Sequence, residues 1–142
     1  LALWVAARPT LRTGTAVSAS TPLEIHGVLA LAPAPDISIL HDKKVCGHII
    51  DKLMGGSPAQ YPDRYRLGDP MNLTLAGVQQ TLIIGKFDDA WAPSARRYVD
   101  VAHARGEKIQ VIEASESGHF EMVRPSTTSW PLVIEAAKNL IR

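Results

Sequence analysis

Short, unbroken apolar runs alternate along this chain with longer stretches of helical periodicity. Val28-Leu29-Ala30-Leu31-Ala32 follows Gly27 and stops at Pro33. Thr81-Leu82-Ile83-Ile84 stops at Gly85, and Lys108-Ile109-Gln110-Val111-Ile112 makes a third run. Continuous runs of this length suit parallel strands buried on both faces. Between the first two, Cys46, Ile49, Ile50 and Leu53 recur at helical spacing, and Gly55-Gly56 supplies a C-cap. Gly47 weakens that helix without forbidding it. Residues 57–75 are rich in Pro, Gly, Asp and Tyr, and an irregular excursion is expected there. Ala95, Tyr98, Val99 and Ala102 mark another amphipathic helix, closed by Gly106. The last helix is expected to start near Pro131, a residue favoured in a first turn. Its buried face should hold Val133, Ile134, Ala137, Leu140 and Ile141. At the other end, Leu1, Trp4 and Val5 share one helical face, and Pro9 stops that helix after Arg8. The predicted order is helix, then β-α-β-α-β-α with right-handed crossovers. That is an α/β, three-layer architecture with about three parallel strands and helices on both faces.

Composition narrows the functional classes. Hydrophobic residues make up 46% of the 142 and charged residues 20%, which is ordinary globular usage and suits one domain. The 15 basic and 14 acidic residues leave a net charge of +1 with no basic cluster, so neither nucleic acid nor an anionic membrane is an expected partner. The longest apolar runs are too short to span a bilayer. Cys46 is the single cysteine, so no internal disulfide forms, which tilts the expected location toward the cytoplasm. The chain opens without methionine or a polar lead-in. One reading of Leu1–Pro9 is the tail of a signal peptide ending near Ala6-Ala7, but the charged leader is missing. The periodicity favours the other reading, the remainder of a helix that begins upstream.

In open parallel sheets, ligands bind beyond the carboxyl ends of the strands. The segments that matter most are therefore Gly85-Lys86-Phe87-Asp88-Asp89-Ala90-Trp91-Ala92-Pro93 and Ser115-Glu116-Ser117-Gly118-His119-Phe120-Glu121. Adjacent strands lie about 4.8 Å apart. A carboxylate leaving one can then meet an imidazole leaving the next, which is what an acid that orients a catalytic base requires. Taken alone, Asp88 and Asp89 also suit a plain turn after a strand.

The pattern Gly85-x-x-Asp88-x-x-Trp91-Ala92-Pro93, followed by Gly118-His119-Phe120-Glu121, resembles the acid and histidine motifs of α/β-hydrolases. Leu1-Ala2-Leu3-Trp4-Val5-Ala6-Ala7-Arg8 resembles the helix after the nucleophile elbow in the esterase and kynurenine-formamidase-like branch. Gly55-Gly56-Ser57-Pro58, with Pro62, Arg64-Tyr65 and Asp69-Pro70, resembles their segment between strands six and seven. The resemblance covers nearly the whole chain, yet only the latter half of that fold. It implies a single partial domain, 1–142, contributing Asp88 and His119 to a Ser–Asp–His triad, with the order Ser, acid, His usual in this fold. Asp88 fits the spacing to Gly85 and Trp91, and Asp89 is the alternative acid. The substrate implied is a small carboxylic ester or N-formyl amide. No cofactor is implied, and the partner implied is the chain's own N-terminal half. That half would carry the serine, both usual oxyanion-hole donors and the strand beside Val28–Ala32.

The departures are as informative. No G-x-S-x-G occurs. The nearest decoy, Gly55-Gly56-Ser57-Pro58-Ala59, lacks the last glycine and follows a helix, whereas the elbow follows a strand. His41, Cys46 and His48 crowd together, but their spacing matches no zinc pattern and a fourth ligand is missing. Phe87, Trp91 and Phe120 flank the expected site, as pocket walls or as plain core. Two rival readings stand beside the hydrolase. One is a small doubly wound signalling or binding domain with Asp88-Asp89 as its acidic pocket. The other is a non-catalytic hydrolase-like protein that begins at Leu1.

Overall fold

A computed structural model describes residues 1–141. Three strands form one parallel sheet in the order β1 (Gly27–Leu31), β2 (Gln79–Gly85), β3 (Ile109–Ala114). The register sets Leu31 against Ile83 and Gly85 against Ala114, so all three strands end at one level. Only β2 is buried on both faces; β1 and β3 are partly exposed edges. The expectation of three fully buried strands therefore holds for the middle one alone. An edge strand keeps one long side open however apolar its sequence is.

The described residues hold six helices: α1 (Ala2–Ala7), α2 (Ile37–Asp42), α3 (Ile49–Met54), α4 (Pro62–Gly68), α5 (Ala92–Ala104) and α6 (Trp130–Leu140), of which α1, α5 and α6 pack on the sheet. Strand alternation divides the core. Leu82 and Ile84 of β2 join Val28, Ala30, Leu3, Ala6, Ala95 and Tyr98 on the face covered by α1 and α5. Ile83 points the other way, to Ala114, Met122, Val133 and Ala136 under α6. A third cluster, Leu40, Val45, Ile50, Met54 and Tyr65, holds the long β1–β2 connection together.

That connection is more regular than expected. Pro62 opens α4, and Pro70 opens a 3-10 turn over Pro70–Asn72 whose Asp69 carboxylate caps Met71. Helix α2 also went unforeseen, although Asp36 caps it by accepting from the Ile39 amide. Three helices bury faces that overlap only in part with those periodicity suggested; Ile50 and Val133 are buried as expected. Helix α1 turns Leu3, Ala6 and Ala7 inward, where small alanines let it lie close on β1, and leaves Leu1 exposed. Cys46 precedes α3, which buries Ile50 and Met54 while Ile49 and Leu53 face out. Both pairs are four residues apart, and contact with α2 decides between them. Helix α6 buries Val133 and Ala136, with Leu140 against Gly27, and exposes Ile134 and Ile141. Helix α5 buries Ala95, Tyr98, Val99 and Ala102 as the spacing predicts. Gly55 ends α3 in the left-handed conformation at φ 84°, as the C-cap reading requires. No helix among the described residues is long and apolar enough to cross a membrane.

Candidate active site

The loops after β2 and β3 meet at the carboxyl end of the sheet because β2 ends in glycine. A Cβ at Gly85 would stand 2.1 Å from the Gly118 carbonyl oxygen and 2.7 Å from that of Ser117. Only hydrogen fits there, so the second loop folds directly over the end of β2. The Phe87 amide then donates to the Ser117 carbonyl at 2.9 Å, and the Lys86 amide to the Ala114 carbonyl at 3.0 Å. From the other side, Glu121 reaches back three residues and accepts the Gly118 amide at 2.9 Å. A buried contact between the Ser117 and Ser129 hydroxyls ties the loop to the start of α6.

This scaffold sets Asp88 beside His119, 31 residues further along. Asp88 Oδ2 and His119 Nδ1 are 2.8 Å apart. The carboxylate is almost wholly enclosed, its side chain 3% exposed, and the imidazole is 24% exposed. Asp88 Oδ1 accepts the Trp91 amide at 3.1 Å, so both carboxylate oxygens are engaged. The carboxylate sits just ahead of α5, where the helix dipole favours negative charge. With Nδ1 turned to the carboxylate, Nε2 is the ring nitrogen directed away from it. The Trp91 indole stacks on the imidazole with ring centroids 4.9 Å apart and planes 21° apart. Phe120 meets the same ring edge-on, also at 4.9 Å. Phe87 and Phe120 are largely exposed around it. An imidazole held through Nδ1 by a buried carboxylate can accept a proton at Nε2 and share the resulting charge with its partner.

The sequence-predicted residues separate cleanly. Asp88 and His119 come together, and Asp89 stays exposed with no bond to the ring. Ser57 lies between α3 and α4, with its hydroxyl turned to Gln60 Oε1 at 3.1 Å. His41 Nε2 and His48 Nδ1 each lie 3.0 Å from an oxygen of Asp51, and Cys46 is exposed. Among the described residues, no group of three His, Cys, Asp or Glu is arranged to hold a metal ion. The supporting roles of the Trp91 amide and Glu121 were not anticipated. Each rests on a three-residue span, Asp88 to Trp91 and Gly118 to Glu121, and the first has the spacing of an aspartate capping a helix.

No protein-family model matches the chain, and no curated protein matches it in sequence. Solved structures do. Esterase B from Lactobacillus rhamnosis, in an inhibited form, superposes with a TM-score of 0.72 at 17% identity, over 98% of this chain and 48% of its own. Butyrate-bound esterase 2 from Thermogutta terrifontis gives 0.66 at 12% identity, over 98% and 50%. Dipeptidyl peptidase 4 from Porphyromonas gingivalis gives 0.63 at 13% identity, over 82% of this chain and 16% of its own. The chain thus spans about half the length of the esterases it matches. Its three-stranded parallel sheet and flanking helices match about half of an α/β-hydrolase fold, with an Asp88–His119 pair at the carboxyl end of the sheet.

Proposed function

We propose that this chain is the latter half of a serine hydrolase acting on small carboxylic esters or N-formyl amides, and that Asp88 and His119 are the acid and base of its triad. The observation that carries the reading is the 2.8 Å contact between Asp88 Oδ2 and His119 Nδ1, made by a buried carboxylate at the carboxyl end of a parallel sheet. The esterase likenesses and the order acid, then histidine, support it. In the complete protein a serine hydroxyl from the preceding segment attacks the carbonyl carbon. Its proton passes to His119 Nε2, and Asp88 stabilises the imidazolium that forms. The same nitrogen then returns the proton to the leaving oxygen or nitrogen as the tetrahedral intermediate collapses. The oxyanion is held by backbone amides that also belong to the preceding segment.

The test uses the natural gene product that contains this chain, assayed with short-chain p-nitrophenyl esters and an N-formyl arylamide. His119→Ala should abolish turnover. Asp88→Asn, which offers Nδ1 a donor and so favours the wrong tautomer, should cost about four orders of magnitude in kcat, as in a serine protease. Turnover that survives His119→Ala overturns the reading. So does a gene in which no serine in a G-x-S-x-G turn precedes Leu1.

A further inference from the structure

We infer that Trp91 is the positioning residue for His119, holding the plane of the imidazole through its indole while its backbone amide holds the acid. The inference rests on the reading of His119 as a general base and adds to it what fixes the direction of Nε2.

A single hydrogen bond at Nδ1 locates one atom of the ring. It leaves the ring free to swing about the line from Nδ1 to the carboxylate, and Nε2 sweeps an arc as it does. A base must present its nitrogen within hydrogen-bond reach of one proton, so that freedom has to be removed. The indole removes it. The two ring centroids lie 4.9 Å apart with planes at 21°, within the range of an offset stack. Tilting the imidazole would break that face-to-face contact, and the Phe120 ring, T-shaped to the imidazole with centroids 4.9 Å apart, adds a second boundary.

The indole is itself fixed from two directions. Trp91 is the residue that caps α5, and its amide donates to Asp88 Oδ1 at 3.1 Å. Its side chain packs against the cluster of Leu40, Val45, Ile50, Met54 and Tyr65. One residue therefore touches the carboxylate through its backbone and the imidazole through its ring. The stack also suits the chemistry. When His119 takes up a proton, the positive ring lies on the electron-rich face of an indole, the aromatic surface that favours a cation most. The contact is thus stronger in the protonated, reacting state than in the resting one, which is the condition for accelerating a step.

The test uses the natural gene product with 15N-labelled histidine, with the His119 signals assigned by their loss in His119→Ala. In the parent protein, the Nδ1 and Nε2 signals should report one dominant tautomer with the proton on Nδ1. Trp91→Ala should move both signals toward each other as the ring samples other orientations, and Trp91→Phe should restore them. In turnover, Trp91→Ala should lower kcat by roughly tenfold to a hundredfold, the scale on which a misplaced catalytic group acts, with KM changed less than about twofold because substrate binding is left alone. Trp91→Phe should recover most of that loss. Unchanged nitrogen signals in Trp91→Ala overturn the inference, and so does a Trp91→Phe protein as impaired as Trp91→Ala. The nitrogen signals need no turnover, so they judge Trp91 even if His119→Ala proves the hydrolase reading wrong.

Discussion

At the scale of single residues, the absence of a side chain at Gly85 counts for as much as the presence of Asp88. The two loops of the site touch through backbone, Phe87 amide to Ser117 carbonyl, across a gap that no Cβ could enter. The obstructing atoms are main-chain oxygens, which cannot rotate away as a side chain would. Gly85→Ala should therefore displace the Ser117–His119 loop and destabilise the fold by about 1–3 kcal/mol, the usual cost of overpacking. Gly14→Ala is a useful contrast, because a Cβ there meets nothing within 4 Å, although its φ of 87° carries strain of its own. Urea unfolding of each variant, with the His119 ring signals as a local probe, separates the two cases. Gly85→Ala should disturb the ring signals, and Gly14→Ala should leave them in place.

At the scale of elements, β1 is one of two open edges of the sheet, and the one that adjoins an apolar trough. It pairs with β2 on one side only, and among the described residues nothing pairs with its other side. Beside that open edge, Leu1, Val5, Ile25, Val28 and Leu29 line an apolar trough of about 420 Å³. Unpaired amides and carbonyls beside apolar side chains recruit other strands. The 142-residue chain expressed alone should accordingly self-associate, and, on the proposal that it is the latter half of a longer hydrolase, co-expression with the other half should relieve this. Light scattering on the purified chain gives the answer. A clean monomer at high concentration would mean that β1 is covered in some other way. The helices at this scale also show the limit of periodicity. In α3, the pair Ile50 and Met54 is no more apolar than Ile49 and Leu53. The choice fell to whichever pair faced α2 and Tyr65.

At the scale of the whole molecule, polar groups buried far from the site hold the sheet to its helices. The Tyr98 hydroxyl of α5 donates to Gln80 Oε1 of β2 at 2.6 Å. Gln80 Nε2 donates in turn to Glu107 at 2.8 Å, and the other Glu107 oxygen accepts the Leu75 amide at 3.2 Å. Burial, with the nearby Glu107 charge, pushes the Tyr98 phenol well above its ordinary range. The folded protein therefore keeps that proton at pH values where the unfolded chain has lost it. The stabilisation is complete below the ordinary phenol pKa and is lost as pH rises through the raised folded value. Tyr98→Phe should remove this alkaline component, so the difference in melting temperature between parent and variant should shrink above pH ~10, the ordinary phenol value. At neutral pH the variant should be weaker by about 1–3 kcal/mol, the cost of leaving Gln80 Oε1 without its donor. A parent-to-variant difference that is flat from neutral to strongly alkaline pH would contradict this account.

Much of this molecule is legible in its one-dimensional pattern, because the signals involved are local. Apolar runs bounded by Gly27 and Pro33 and by Gly85, together with the run Lys108–Ile112, located the three strands to within two residues at either end. Their placement between helical stretches led to a parallel sheet with helices on both faces. The segments that follow β2 and β3 place the Asp88-Asp89 pair and His119 where such a sheet presents its chemistry, at its strand ends. What stayed illegible depends on which surfaces meet. The inward faces of α1, α3 and α6 were set by their neighbours, because each helix carries more apolar positions than it can bury. Between Asp88 and Asp89 strand position alone is silent; the family resemblance favours Asp88, and the turn before α5 directs that carboxylate inward. The stack of Trp91 on His119 joins residues 28 apart through a cluster contributed by α2, α3 and α4. Only the closing of the chain over Gly85 brings those surfaces together, and sequence spacing carries no record of that contact.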